Sequence, residues 1–428
     1  MWSQTATREP DRNEGARAAE AAARHSYGKL IAFLAARTRD VAGAEDALSE
    51  AFAAALAEWP VRGVPRSPEA WLLTVARRRL VDAARRRRLD QTAGEHLTWL
   101  AELTADEDDG LAVPDRRLGL MFACAHPGID RPVRAPLMLQ LVLGFDAATI
   151  ASAFLVAPAA MGQRLTRAKA KIRHAAIGFE VPEQAALRER LDAVLDAIYA
   201  AYTEGWSDPQ GSDARRRNLA EEAIWLGRLL ASMLPDEGEA LGLLSLMLHA
   251  HARREARRSA SGEYVPLSEQ DPARWDARMI DEAESLLVKA GCCGTHGGRY
   301  ELEAAVQSAH AVRRRTGKAD WPAIEQLYDA LCVLTGSPVA ALNRAVALAQ
   351  TRGPAAGLAA LDALPDDARL ADYQPYWAAR AELLVRTGAF DAALSAYQRA
   401  IGLESDPAVR TFLQQRAALC RSSTPAGS

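Results

Sequence analysis

The sequence predicts an all-α protein of several domains, and three observations carry that prediction. Ala and Leu are abundant and β-branched residues sparse, with 49% hydrophobic, 25% charged and only 6% aromatic residues, a composition that favours helix over sheet. Apolar residues return at three- and four-residue spacing in one segment after another, which is the helical period. At 428 residues the chain exceeds what one core can fill, so it divides into more than one unit.

Composition also excludes several classes. No apolar run approaches the ~20 residues of a membrane span, and MWSQTATREPDRNEGARAAE carries charges where a signal peptide would be apolar, so a cytoplasmic protein without a membrane partner is expected. The five cysteines, Cys124, Cys292, Cys293, Cys332 and Cys420, are odd in number and scattered, unlike a disulfide framework. Net charge is only −3, yet charge is locally segregated. Arg77 to Arg88 holds seven arginines against one acid, Asp82, whereas Asp90 to Asp109 holds seven acids and no Lys or Arg. Arg164, Arg167, Lys169, Lys171 and Arg173 then follow within ten residues free of acids. Two basic helices flank an acidic connector, the footprint of a nucleic-acid binder.

The first unit spans roughly residues 24–89. Val41, Ala44, Leu48, Phe52 and Ala55 form an apolar stripe, and Glu45, Asp46 and Glu50 fall outside it, giving an amphipathic helix with an acidic outer face. That helix is expected to stop near Trp59-Pro60, because EWPVRGVPRSP contains three prolines and a glycine. Ser67-Pro68-Glu69 starts the next helix, with Ser67 suited to the cap and Pro68 to the first helical position. It carries Trp71, Leu72, Val75 and Leu80 on its apolar side and ends in the arginine cluster. Residues 90–113 have few apolar side chains and read as a tether.

The second unit spans 114–180. Ala148 to Leu155 forms a short apolar helix, Val156-Ala157-Pro158 a tight turn, and Ala159 to Ala175 a basic helix, which is the layout of a helix-turn-helix with the second helix as reader. On that helix Ala159, Ala160, Gln163 and Arg167 share one face, and Gln and Arg are suited to bidentate reading of A and G in the major groove. Arg164, Lys171 and Arg173 are placed for phosphates. Gly162 inside the helix costs roughly 1 kcal/mol relative to Ala and has no evident function.

Beyond about Glu183 the chain is Leu- and Ala-rich helix, broken at WSDPQGSD, at Pro235 to Gly238 and at GCCGTHGGRY, so one extension domain spans 183–290 and another 299–420. In the latter, Gly353 and Gly388 stand 35 residues apart, each between two apolar helices, close to the ~34-residue period of tetratricopeptide repeats. Gly388, Ala393, Tyr397 and Ala400 occupy the small and aromatic positions by which such helix pairs interlock, and Pro407 to Leu419 would cap the array.

AEDALSEAF (Ala44 to Phe52), PEAWLLTVARRRLVDAARRRR (Pro68 to Arg88) and MGQRLTRAKAKIR (Met161 to Arg173) resemble regions 2.2, 2.3 to 2.4 and 4.2 of extracytoplasmic-function sigma factors, members of the sigma-70 family, in that order. RLDAVLDAIYAAYTEGW, LGRLLASMLPDEGEALGLLSLMLHAHARREAR, VPLSEQDPARWD and the repetitive tail resemble the subgroup whose extension ends in tetratricopeptide repeats. The resemblance implies an alternative sigma factor with core RNA polymerase and promoter DNA as partners, no cofactor, and an extension that could take a protein or peptide. By resemblance, Glu45, Asp46 and Glu50 dock on the polymerase clamp, where charge complementarity sets orientation and on-rate; taken alone they would be a solvated face. The Pro-rich loop and basic helix would hold the opened minus-10 element, with Arg62, Arg66, Trp71, Thr74, Arg77, Arg78, Arg79 and Arg85 as contacts. Family members often have Asn where this chain has Arg78. Ala159, Ala160, Gln163, Arg164, Arg167, Lys171 and Arg173 would meet the minus-35 element, and the acidic connector would lie in the basic RNA-exit channel of polymerase.

Two rivals are weighed beside this reading. A helix-turn-helix regulator with a ligand- or peptide-binding repeat domain would bind DNA without polymerase. A metal enzyme is disfavoured, because His249 and His251 point to different sides of a helix, and neither Cys292, Cys293 and His296 nor Cys124 and His126 has the paired spacing of a zinc site. No phosphate loop or nucleophile elbow occurs, so the chain is not expected to be an enzyme.

Overall fold

A computed structural model describes residues 12–87, 115–153, 156–175, 177–206, 219–293, 297–364 and 368–423. The fold is all-α: among these residues there is no strand, only an isolated bridge between Arg258 and Tyr264. The chain forms two compact units, Met1–Glu222 and Ala223–Ser428. The acidic connector and Arg88 lie outside the described residues.

In the first unit, α1 (Arg12–Thr38), α2 (Val41–Arg62) and α3 (Pro68–Arg87) pack together. Leu30, Ile31, Leu34, Ala44, Leu48, Ala51, Trp59, Leu72 and Ala76 fill their core. Asp40 caps α2 by accepting from the Gly43 N–H at 3.1 Å. The expected stop at Trp59-Pro60 is corrected: α2 runs through Pro60 to Arg62 and closes on Gly63, whose N–H donates to the Trp59 carbonyl at 3.0 Å with φ +85°. Gly15 of α1 lies against the backbone there, where a Cβ would come within 2.6 Å of the Pro60 nitrogen. Pro68 opens α3 as expected, and the Trp71 N–H donates to the Ser67 carbonyl.

The rest of this unit is α4 (Arg117–Cys124), α5 (Arg131–Leu143), α6 (Ala147–Ala153), α7 (Pro158–His174) and α8 (Gln184–Trp206). Asp146 accepts from the Ala148 and Thr149 N–H groups and starts α6. Helices α6 and α7 pack against each other, Met161, Leu165, Ala168 and Ile172 anchor α7, and Phe154 and Leu155 of the expected first helix lie outside the described residues. The sequence starts the extension near residue 183, but α8 packs on α4 and α5 and belongs to this first unit.

The second unit comprises α9 (Leu219–Met233, from Ala223 onward), α10 (Gly238–His251), α11 (Ala277–Ala290), α12 (Arg299–Ala311), α13 (Trp321–Thr335), α14 (Pro338–Thr351), α15 (Pro354–Asp362), α16 (Gln374–Arg386), α17 (Phe390–Leu403) and α18 (Pro407–Ser423). Neighbours pack as successive antiparallel hairpins, α13 with α14, α14 with α15, α16 with α17, and α17 with α18. Gly353 and Gly388 turn the chain with φ +95° and +80°, conformations that suit glycine. Ala393, Tyr397 and Ala400 lie in one buried cluster with Ala381, Leu413 and Ala417. No described helix is long and apolar enough to cross a membrane.

Candidate nucleic-acid interface

On α3 the arginines divide by partner. Arg77 is drawn inward, its guanidinium 5.3 Å above the Phe33 ring of α1, a cation–π geometry. Arg79 pairs with Glu50 of α2 at 3.1 Å, with both side chains about half exposed. Arg78 is exposed, Thr74 is exposed with its hydroxyl donating to the Ala70 carbonyl, and the Arg85 side chain lies outside the described residues. Trp71 is half-buried, edge-on to the buried Trp59 at 5.4 Å. Before α3 lies the loop from Gly63 to Ser67, bearing exposed Arg66, while exposed Arg62 pairs with Glu58.

The loop-to-helix junction is fixed by a carboxylate. Glu69 in the first turn of α3 accepts from the Ser26 hydroxyl at 2.5 Å and pairs with Lys29 at 3.3 Å, both on α1. An acid there also suits the positive end of the helix dipole. Sequence reading missed this anchor, since its partners lie about forty residues upstream.

Helix α7 presents a clean polar face. Ala159, Gln163, Arg164, Arg167, Lys171 and Arg173 are exposed and Ala160 is half-buried at its edge, opposite the buried stripe of Met161, Leu165, Ala168 and Ile172. Lys171 reaches toward Asp130 at 3.5 Å, an exposed and therefore weak pair. Exposed Gln and Arg side chains at one-turn spacing on a helix held by a tight turn can enter a major groove.

The three acids of α2 differ from one another. Asp46 and Glu50 are exposed, but Glu45 is half-buried and pairs with Lys169 of α7 at 2.8 Å. The outward acidic face expected from the sequence is thus corrected at Glu45. Burial pushes its carboxyl above the usual range, with Asp46 adding to the rise and the Lys169 hydrogen bond and charge opposing it. Among the described residues no group of three or more His, Cys, Asp or Glu side chains could hold a metal ion.

Comparison with known proteins gives this geometry a context. Residues 23–89 match the family described as sigma-70 region 2, and residues 190–291 match a family of unknown function (DUF6596). A protein of Rhizobium meliloti (strain 1021), described as uncharacterized, is 39% identical over 379 residues, which cover 87% of this chain and 89% of that protein. A probable RNA polymerase sigma factor of Xanthomonas campestris pv. campestris, RfaY, is 29% identical over 169 residues, 36% of this chain and 42% of its own length. No solved structure matches.

Proposed function

Because this chain belongs to the sigma-70 family and shares the family's role in transcription initiation, we propose that it is an alternative sigma factor of the extracytoplasmic-function type. In this reading α2 docks on core RNA polymerase through Asp46 and Glu50, joined by Glu45 once it is freed. The loop at 63–67 and α3 hold the opened minus-10 strand. The helix-turn-helix of α6 and α7 reads the minus-35 element through Gln163 and Arg167, and Arg164, Lys171 and Arg173 meet phosphates. The later helices act as a tetratricopeptide-like regulatory extension for a protein or peptide partner.

The observation that carries this reading is the sigma-70 region 2 match over α1 to α3 in a chain that also exposes Gln163, Arg164 and Arg167 on a second, helix-turn-helix surface. Phosphate contacts supply affinity, base contacts specificity, and melting energy comes from trapping unpaired bases. Reconstitution with core polymerase, followed by sequencing of the transcripts, tests it: new start sites sharing spaced upstream elements are expected, and DNA binding that is indifferent to polymerase would refute it. A chain ending after Trp206 keeps α8 on α4 and α5. It should transcribe less than the full chain if the extension is needed for activity, and more if the extension inhibits.

A further inference from the structure

The Glu45–Lys169 pair joins an acid on the helix proposed to meet polymerase to a base on the helix proposed to read DNA. It is no loose surface contact. The side chains are only 14% and 17% exposed, and the pair spans 124 residues of sequence. Close backbone packing surrounds it. Gly28 of α1 sits so near α5 that a Cβ would overlap the Val142 carbonyl, and Gly144, at the end of α5 with φ +71°, lies against the Tyr27 ring. Helices α1, α4 and α5 pack together, so regions on either side of the connector form one body.

This body is too small for both proposed tasks at once. Elements centred near positions −10 and −35 lie about 25 base pairs apart, roughly 85 Å along B-DNA. Helix α3 has 20 residues and α7 has 17, about 30 and 25 Å at the helical rise. Laid end to end with an interhelical spacing of about 10 Å they still fall short of that separation. While Lys169 is 2.8 Å from Glu45, one reader can engage but both cannot.

We propose that Lys169 is a latch: it neutralises Glu45 and holds the two DNA-reading helices closed, and core RNA polymerase opens them by offering Glu45 a competing basic surface. The inference rests on the sigma reading above and adds a residue that reading does not use, since Lys169 lies on the flank of α7 rather than its exposed face. Asp46 and Glu50 are exposed, Glu50 in a half-exposed and therefore weak pair with Arg79, and both can make first contact by charge steering. Glu45 becomes available only as α7 leaves. Gly28, Gly144 and Tyr27 confine the closed state to one docking geometry, so release is a discrete step.

Amine footprinting tests the latch on the unmodified chain. Acetylation of Lys169, read by mass spectrometry, should be slow in the free protein and rise when core polymerase is added, and Glu45→Gln should raise it without polymerase. Lys169→Ala should bind core tighter by about three- to tenfold, because less of the free protein is closed, and Lys169→Arg should restore wild-type affinity. A complex with core in which Lys169 stays protected, or a Lys169→Ala chain that binds no tighter, overturns the latch alone. Absence of any complex overturns the sigma reading, and the latch with it.

Discussion

The two units of this chain divide their arginines differently, although each uses some for architecture: in the first, buried Arg117 pairs with Asp115 and Glu222, and Arg79 with Glu50. In the second unit arginines are spent on architecture: Arg344 pairs with Asp329, Arg352 with Glu325, Arg380 with Asp362, Arg399 with Asp372 and Arg416 with Glu382, most of them tying one helix to a neighbour. In the first unit Arg78, Arg164, Arg167 and Arg173 are exposed and carry no ion pair among the described residues. Unpaired arginines repel one another, and a fold keeps them at that cost when an anionic partner will neutralise them. The units should differ in rigidity as well. Hairpins knitted by pairs and buried Ala–Tyr contacts are expected to move little, whereas the two halves of the first unit meet through the packing of α1 on α4 and α5, the close glycine crossing and the Glu45–Lys169 pair.

The sharpest test of that contrast is steric. In the second unit Gly242 of α10 faces the start of α12, where a Cβ would come within 2.6 Å of the Glu301 nitrogen, and Glu239 accepts from the Tyr300 and Glu301 N–H groups at 3.1 and 3.0 Å. Backbone and cap cannot yield, so Gly242→Val should destabilise this unit by about 3 kcal/mol, read as a lower urea midpoint. Gly28→Val in the first unit should instead separate α1 from α5 and leave α1 to α3 folded. Loss of α1–α3 helicity in Gly28→Val would show the first unit to be as static as the second.

Acid should also act on the units unequally. His249 of α10 is almost wholly buried, 3.6 Å from Glu284, and burial with the nearby Arg253 charge lowers its pKa to about 4. Glu284 also accepts from the Ser308 hydroxyl at 2.8 Å, and Arg253 donates to Gln307. His310, set edge-on against Trp321, is lowered in the same direction. A histidine held neutral in the fold but free to charge when unfolded contributes fully above pH 6.5, and its contribution is lost as pH falls toward 4. For His249 that loss should reach on the order of 2 kcal/mol by pH 4.5. Urea melts between pH 7.5 and 4.5 should show it in the second unit, and His249→Leu should flatten the slope. An equal slope in a chain ending after Trp206 would place the sensitivity elsewhere.

On DNA the first unit's exposed arginines should separate by role. Gln163→Ala or Arg167→Ala should relax preference at single minus-35 positions by about 1 kcal/mol or somewhat more, while Arg173→Ala should weaken all promoters alike. Promoter variants titrated with holoenzyme would measure both. Uniform losses from all three would remove Gln163 and Arg167 from the reading face.

The elements of the fold were legible wherever a helix carries its own apolar period. Val41, Ala44, Leu48 and Ala55 mark α2, and Met161, Leu165, Ala168 and Ile172 mark α7, all of them buried. The N-terminal half of α1 was not, since its RNEGARAAEAAAR is mostly Ala and charge with no stripe of large residues. Prolines misled at Pro60, because a missing N–H ends a helix only when nothing else supports the next turn, and here Gly63 closes it one turn later. Glu45 misled for a different reason. Beside buried Ala44 and Val41 it borders the stripe, and whether that border faces water depends on α7, more than a hundred residues away, which no local period records. Exposed positions such as Asp46, Gln163 and Arg167 were read well because solvent exposure follows from the helix's own pattern.

The smallest effect concerns the glycine that the sequence leaves without a function. A Cβ at Gly162 would meet nothing within 4 Å, in contrast to Gly357 of α15, where it would lie 2.7 Å from the Ala345 carbonyl oxygen. On the helical wheel Gly162 sits about 100° from the buried Met161 and a similar angle from exposed Gln163, on the flank shared with Lys169 and Arg173. Its carbonyl accepts from the Thr166 hydroxyl at 3.0 Å, a bond that a methyl group leaves in place. Gly162→Ala should therefore stabilise the first unit by about 0.5 to 1 kcal/mol through lower chain entropy alone. Promoter affinity should stay within twofold of wild type, because the added methyl lies off the reading face. If stability rises but promoter affinity drops, the DNA backbone passes through the open space beside Gly162, and the phosphate contacts proposed at Arg173 extend along this flank to the first turns of α7. The matched change Gly357→Ala should destabilise, so that the two substitutions, identical in chemistry, take opposite signs in the two units.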